Sequence, residues 1–167
     1  MPAEWKAALL AVDGDVAIDV MIQIQTLPAD ATHIVVSAGG NDAIGCIPLL
    51  SDPVPSVEKA LSRLADIRAN FRRDYKIMLN SVLSKTLPTA VCTIYDAVPG
   101  LSREQQTALA LFNEVILREA SINGLPVIDL RVICDEEIDY SEVSPIEPSH
   151  NGGKKIARAI LDTLTTF

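Results

Sequence analysis

The chain has 167 residues, is 49% hydrophobic and carries a formal charge of −8, which predicts one domain over residues 1–167 with enough chain for a single core. The acidic balance argues against a surface built to hold nucleic-acid phosphates, and no apolar run reaches the roughly 18–20 residues that cross a bilayer. Three widely spaced cysteines, Cys46, Cys92 and Cys134, lack metal-ligand spacing, and Glu4 and Lys6 interrupt any leader-like run; a reducing, cytoplasmic setting is the expectation.

Residues 7–12 (Ala-Ala-Leu-Leu-Ala-Val) read as a first strand closed by the turn pair Asp13-Gly14. Val16, Val20, Ile24 and Leu27 recur at helical spacing until Pro28. Residues 33–38, with Ile34-Val35-Val36, form the next strand and empty into Gly39-Gly40-Asn41-Asp42. A proline-containing loop leads to a long helix from about Ser56, whose stripe runs through Val57, Leu61, Leu64, Phe71, Tyr75, Met78 and Val82 with Arg68 as its polar break. Residues 89–95 make a third strand. Ser102 and Gln105 then predict a capping box for a helix reaching about Ser121, ended by Asn123-Gly124. Residues 126–130 form a short fourth strand, an acidic loop follows, and the last helix starts near Asn151. Strands alternating with helices predict an α/β fold with a parallel sheet covered on both faces.

The loop after residues 33–38 lies where ligands bind in open α/β sheets, outside the carboxyl ends of the strands. Glycine and Asn-Asp pairs also make ordinary turns; in a site, the Asn41 amide would donate to an oxygen that gains negative charge in acyl transfer. The second segment with catalytic chemistry is Glu147-Pro148-Ser149-His150. A carboxylate three residues before a histidine can orient the ring as a general base, whereas His33, opening a strand, reads as structural. Ser149 shares a turn with His150 and is poorly placed to meet its ring, and Cys46 in an apolar helix start reads as packing.

These segments together resemble the SGNH hydrolase superfamily of GDSL-type esterases over nearly the whole chain. The resemblance implies a flavodoxin-like three-layer α/β/α fold and hydrolysis of small-molecule carboxylic esters without metal or organic cofactor. His150 would be the base and Glu147 the acid that orients it, although the family pattern has aspartate there. The oxyanion would be held by the side chain of Asn41 and the backbone N–H of Gly14. The family's Gly-Asp-Ser nucleophile block has no counterpart, since the first serine is Ser37. Aligning Gly14-Asp15-Val16 with it would put valine at the nucleophile. The family's first strand, central in its sheet, is missing with that block, so residues 7–12 and 33–38 are expected to face a gap. A truncated chain, inactive by itself, is the expectation. The alternatives are a non-catalytic relative binding an acyl or sugar ligand in the same cleft, or a flavodoxin-like binding domain; the latter is weakened by the absence of a glycine-rich phosphate loop.

Overall fold

The computed structural model describes residues 5–166. Three parallel strands, β1 (Ile34–Val36), β2 (Thr89–Cys92) and β3 (Val127–Ile128), pair in the order β1-β2-β3. The helices are α1 (Val20–Gln23), α2 (Gly40–Gly45), α3 (Val57–Leu83), α4 (Arg103–Ile122), α5 (Leu130–Ile133) and α6 (His150–Leu164). Alternate strand residues point to opposite faces. Ile34, Val36 and Val91 join Phe71, Tyr75, Met78 and Phe112 beneath α3 and α4. On the other face, Val35, Ala90 and Cys92 join Ile156, Ile160 and Leu164 of α6. The layers are therefore α/β/α, as the strand–helix alternation predicts. Among the described residues no helix is long and apolar enough to cross a membrane.

The two long helices are capped as their sequences indicate. Ser56 Oγ accepts from Lys59 N at 3.2 Å ahead of α3. Ser102 and Gln105 exchange bonds of 2.8 and 3.2 Å ahead of α4, and Gly124, at φ +64°, follows that helix. Arg68, the break in the α3 stripe, pairs with Glu114 of α4 at 2.7 Å, and Arg72 pairs with the buried Glu119 at 2.7 Å. The first turns of α3 depart from the amphipathic expectation: Val57 and Leu61 are exposed, and the buried stripe begins further on, at Phe71. Residues 17–26 form a broken helix, with 3-10 turns at Ala17–Asp19 and Ile24–Thr26 flanking α1.

The expected strand at residues 7–12 does not form. Leu9 is 87% and Val12 59% exposed, and β1 takes its ladder bonds from β2 alone among the described residues. Residues 5–12 nonetheless run beside β1 in its own direction. The Trp5 ring stacks on His33 just before β1, with centroids 5.6 Å apart, and Leu9, Ala11 and Val12 share a cavity with Ser37 and Ala38 just after it. The segment has strand composition but no ladder partner among the described residues, and an isolated strand has nothing to stabilise it. The other strands are shorter than their apolar runs. β2 ends at Cys92: Thr93 N still donates to Ile128 O at 3.1 Å, and the buried Asn113 of α4 then takes over Ile94, accepting from its N–H at 2.7 Å and donating to its carbonyl at 2.8 Å.

The acidic loop is anchored on α6. Buried Asp139 accepts from Asn151 Nδ2 and Lys155 Nζ, both at 2.8 Å, and its carbonyl accepts from Ser149 N at 2.8 Å. Gly152 lets this carbonyl approach, because a Cβ there would stand 2.2 Å from the Asp139 oxygen. Gly153 faces open space. Gly152→Ala is therefore expected to destabilise by about 1–3 kcal/mol through overpacking, while Gly153→Ala is neutral or gains up to about 1 kcal/mol from helix propensity. Urea unfolding of both variants checks the pair; equal effects would rule out the close approach.

Candidate active site

At the end of β1 the backbone turns through Gly39 into α2. Gly39 has φ +114°, and a Cβ there would meet the Phe71 ring at 3.0 Å and Ile94 at 3.2 Å, so both conformation and space require glycine. Asn41 and Asp42 follow in the first turn of α2. Both reach back to the segment that precedes β1: Asn41 Nδ2 donates to the Asp15 carbonyl at 2.8 Å, and Asp42 Oδ2 accepts from Ala17 N at 2.8 Å. Burial pushes the Asp42 carboxyl above its ordinary range, against the lowering by the Ala17 N–H bond, with Asp74 and Asp19 adding to the rise. An amide nitrogen has two donors. The second N–H of Asn41 has no protein partner among the described residues, and Asn41 lines a cavity of about 310 Å³.

This cavity has two kinds of wall. Its apolar wall comes from helices: Ile47 and Leu50 beyond α2, Leu64 and Ile67 of α3, and Leu109 and Phe112 of α4. Its polar wall combines Asn41 at the start of α2 and Gln105 at the start of α4 with Asp13, Asp15, Thr93 and Glu147 from loops. Gly14, at φ +84°, lies in the turn between the two acids. It lines an adjoining cavity of about 330 Å³ that Asn41 also lines, so the two residues expected to hold an oxyanion share one wall.

Glu147 is held by its backbone. Ser141 N donates to its carbonyl and its own N–H donates to Ser144 O, both at 2.9 Å; the Tyr95 hydroxyl donates to the neighbouring Ile146 carbonyl. Tyr95 packs edge-on against Tyr140 at 5.3 Å. Burial, with Cys134 and Glu147 adding, pushes the Tyr95 phenol up to about 12, so it stays a donor. His150 is the first residue of α6 and is exposed. It is not part of the cavity wall, and no Glu147–His150 hydrogen bond occurs among the described residues. The structure thus brings Asn41 and Glu147 onto one cavity, sets Gly14 beside it, and leaves His150 on the solvent side of the same turn.

The two other nucleophile candidates fare as the sequence suggests. Ser149 Oγ caps α6, accepting from Asn151 N at 3.1 Å and Gly152 N at 3.2 Å, and donates to Ile138 O at 2.7 Å. Cys46 lines the cavity, but burial and then Asp42 raise its thiol, which disfavours the thiolate that would react. Tyr95, Thr93 and Asp129 carry no motif and are missed by sequence reasoning. Thr93 Oγ donates to Asp129 at 2.9 Å and accepts from Leu130 N at 2.8 Å, fixing the end of β2 to that of β3. Among the described residues no group of His, Cys, Asp and Glu side chains could hold a metal ion.

No protein-family profile and no curated protein sequence matches the chain. Solved structures do. An extracellular lipase from Streptomyces rimosus superposes with a TM-score of 0.63 at 18% identity, over 90% of this chain and 77% of the lipase. The acetyl xylan esterase AlAXEase gives 0.66 at 15% identity, over 90% and 77%. A protein described as lipolytic and of the G-D-S-L family, from Desulfitobacterium hafniense DCB-2, gives 0.65 at 16%, over 90% and 76%. The chain has the SGNH hydrolase fold. At these identities the likeness is one of fold, and it assigns no role to Asn41 or Glu147.

The ion pairs under Glu147 and His150 give a stability test. Burial alone would raise the Asp139 carboxyl; Lys155, the Glu136 N–H and Asn151 outweigh it and hold the group below its ordinary range. Its contribution is therefore complete above the unfolded value of about 3.9 and is lost as pH falls through the lower folded value. Lys155→Met leaves a buried carboxylate without its cation and is expected to destabilise the protein near neutral pH. Part of this should be recovered in acid, where Asp139 takes a proton. Unfolding curves across the acid range check both; a uniform loss at every pH would refute the assignment.

Proposed function

We propose that this SGNH fold serves the hydrolysis of carboxylic esters, with Asn41 and Gly14 holding the oxyanion and His150 and Glu147 handling the proton. The observation that carries the reading is the Asn41 amide. It stands at the carboxyl end of β1, is fixed through one N–H to Asp15 O, and has its other N–H available on a cavity wall. A donor fixed before the reaction is worth most where water is excluded. Glu147 lies on the same cavity with its backbone pinned on both sides. His150, one short turn away, would swing in from solvent once a substrate and nucleophile occupy the site; catalytic hydrogen bonds often tighten only in such a complex.

The nucleophile belongs to a Gly-Asp-Ser segment that the 167 residues do not contain. Its hydroxyl would attack the acyl carbon as His150 takes the proton, and His150 would return that proton to the leaving alcohol. By itself the chain is inactive on esters. That same lack of a nucleophile favours a second reading, a non-catalytic SGNH-fold protein that binds an acyl or carbohydrate ligand in the same cavity.

Hydrolysis of a short-chain aryl ester by this chain is expected to equal that of a denatured control. Adding a strand ending in Gly-Asp-Ser ahead of Met1 should restore turnover. In that extended protein Asn41→Ala should lower kcat by about 100- to 1,000-fold with little change in KM. No turnover in a folded extended protein would favour the binding reading, and turnover by the original chain that is lost in Cys46→Ala would move the nucleophile to Cys46.

A further inference from the structure

We infer that the edge of β1 opposite β2 is a docking site for a strand supplied by a second polypeptide, an extended segment apolar on both faces. The backbone carries the first half of the argument. Ile34 N donates to Pro88 O at 2.9 Å, which fixes the Ile34 amide toward β2. Successive residues of a strand turn their N–H and C=O to opposite edges, so Val35 aims both away from β2. Among the described residues β2 is the only strand beside β1, and the Val35 backbone has no partner on its outer side. Val35 is half-buried, where an unpaired N–H and C=O carry a cost that a neighbouring strand removes. Proteins blunt an edge that must not pair with lysine, proline or a bulge; residues 33–38, His-Ile-Val-Val-Ser-Ala, contain neither lysine nor proline.

Space and lining carry the second half. Trp5 and Val35 pack against the cluster of Cys92 and Leu164 on the α6 face, while Ala17, Val20 and Ile24 pack beneath α3 on the other. The chain between Trp5 and Ala17 therefore passes round the outer edge of β1, and it does so without pairing to it. Where it passes, a cavity of about 330 Å³ lies between Leu9, Ala11 and Val12 on one side and Ser37 and Ala38 on the other. Leu9 and Val12 line this cavity and are still 87% and 59% exposed, so their apolar surface is left for an occupant to cover. A helix does not suit the site: it is about 10–12 Å across, and its own backbone bonds leave nothing for Val35. An extended backbone presents a donor and an acceptor to one edge at every second residue, which is what this edge lacks. Its side chains would meet Trp5 and Val35 on one face and the Val20 cluster on the other, so both of its faces must be apolar.

The inference stands apart from the hydrolase reading, because its probe carries no serine and its failure would leave the Asn41 test untouched. The probe is a fluorescein-labelled, acetylated peptide, Lys-Val-Ile-Val-Val-Ala-Lys amide, titrated with the 167-residue protein and followed by anisotropy. It should bind, and the emission of Trp5, the only tryptophan, should shift on binding. The same peptide N-methylated at every apolar residue keeps its charge and side chains but loses its donors, and should bind at least about tenfold more weakly. In hydrogen exchange the Val35 amide should exchange freely in the protein alone and slow at least about tenfold with peptide bound, while the Ile34 amide is protected in both states. Ala11→Trp fills the cavity from an exposed position and should abolish peptide binding with the circular-dichroism spectrum unchanged. Val35→Pro removes the outward N–H without touching the ladder to β2 and should have the same effect. No binding, equal binding of the N-methylated peptide, or binding that survives both variants would overturn the docking site. A Val35 amide already protected in the free protein, or self-association that the peptide does not reverse, would show that the edge is closed by this chain itself and would overturn the second polypeptide.

Discussion

The bonds from Asn41 and Asp42 to the Asp15 carbonyl and the Ala17 N–H are the constraint on which the site depends. Residues 5–12 have no ladder to hold them, so the turn at Asp13-Gly14 could take many positions relative to β1. Two adjacent side chains in the first turn of α2 remove that freedom, one donating and one accepting, and they anchor to the backbone rather than to side chains. The same contacts that would orient an oxyanion donor thus bring Asp13 and Asp15 to the cavity and Gly14 to the one adjoining it. Asp42 accepts an unfavourable environment for this: burial raises its carboxyl, and the Ala17 N–H partly offsets the rise.

Behind this clamp the α3–α4 face is rigid for reasons of packing. Met78 and Val82 of α3 and Val115 and Ile116 of α4 are wholly buried, each worth about 1.5–3 kcal/mol in transfer terms. Phe71 and Phe112, with ring centroids 4.8 Å apart, close the core beneath Gly39, which explains why no side chain fits there. The cavity opens where this packing ends, between the clamp, the start of α4 and the Glu147 turn. A cavity bounded by a dense core on one side and by loops on the other acquires its apolar and polar walls from the fold itself.

The strands at β1 and β2, the helix caps at Ser56 and Ser102 and the Gly-Gly-Asn-Asp loop were legible in the sequence because each is a local pattern. Residues 7–12 show the limit of such patterns. Their composition is that of a strand, but a strand exists only beside a partner, and periodicity cannot report a partner that is not there. The early end of β2 has the same origin: Asn113 replaces ladder bonds from 19 residues away. Tyr95 and Thr93 were illegible because their partners lie 51 and 36 residues off. Glu147 and His150 stand three residues apart in the sequence, and that spacing says nothing of which faces the cavity. That depends on the Ser141–Glu147 turn and on Ser149 capping α6, which fixes the direction in which the helix starts.

The excess negative charge follows from where the cations are used. Arg68 and Arg72 join α3 to α4 through Glu114 and Glu119, Arg118 pairs with Glu114 within α4, Lys155 balances Asp139 and Glu136, and Arg131 is held by Asp129. Each of these bonds serves packing or loop anchoring away from the polar wall of the cavity. With these cations paired elsewhere, the acidic residues Asp13, Asp15 and Glu147 line the cavity with no lysine, arginine or histidine among the lining residues. Moving a cation to that wall would attract anions into the cavity and would also compete for the Asp15 end of the clamp, so the field at the site and the geometry of Asn41 are set by the same arrangement of charges.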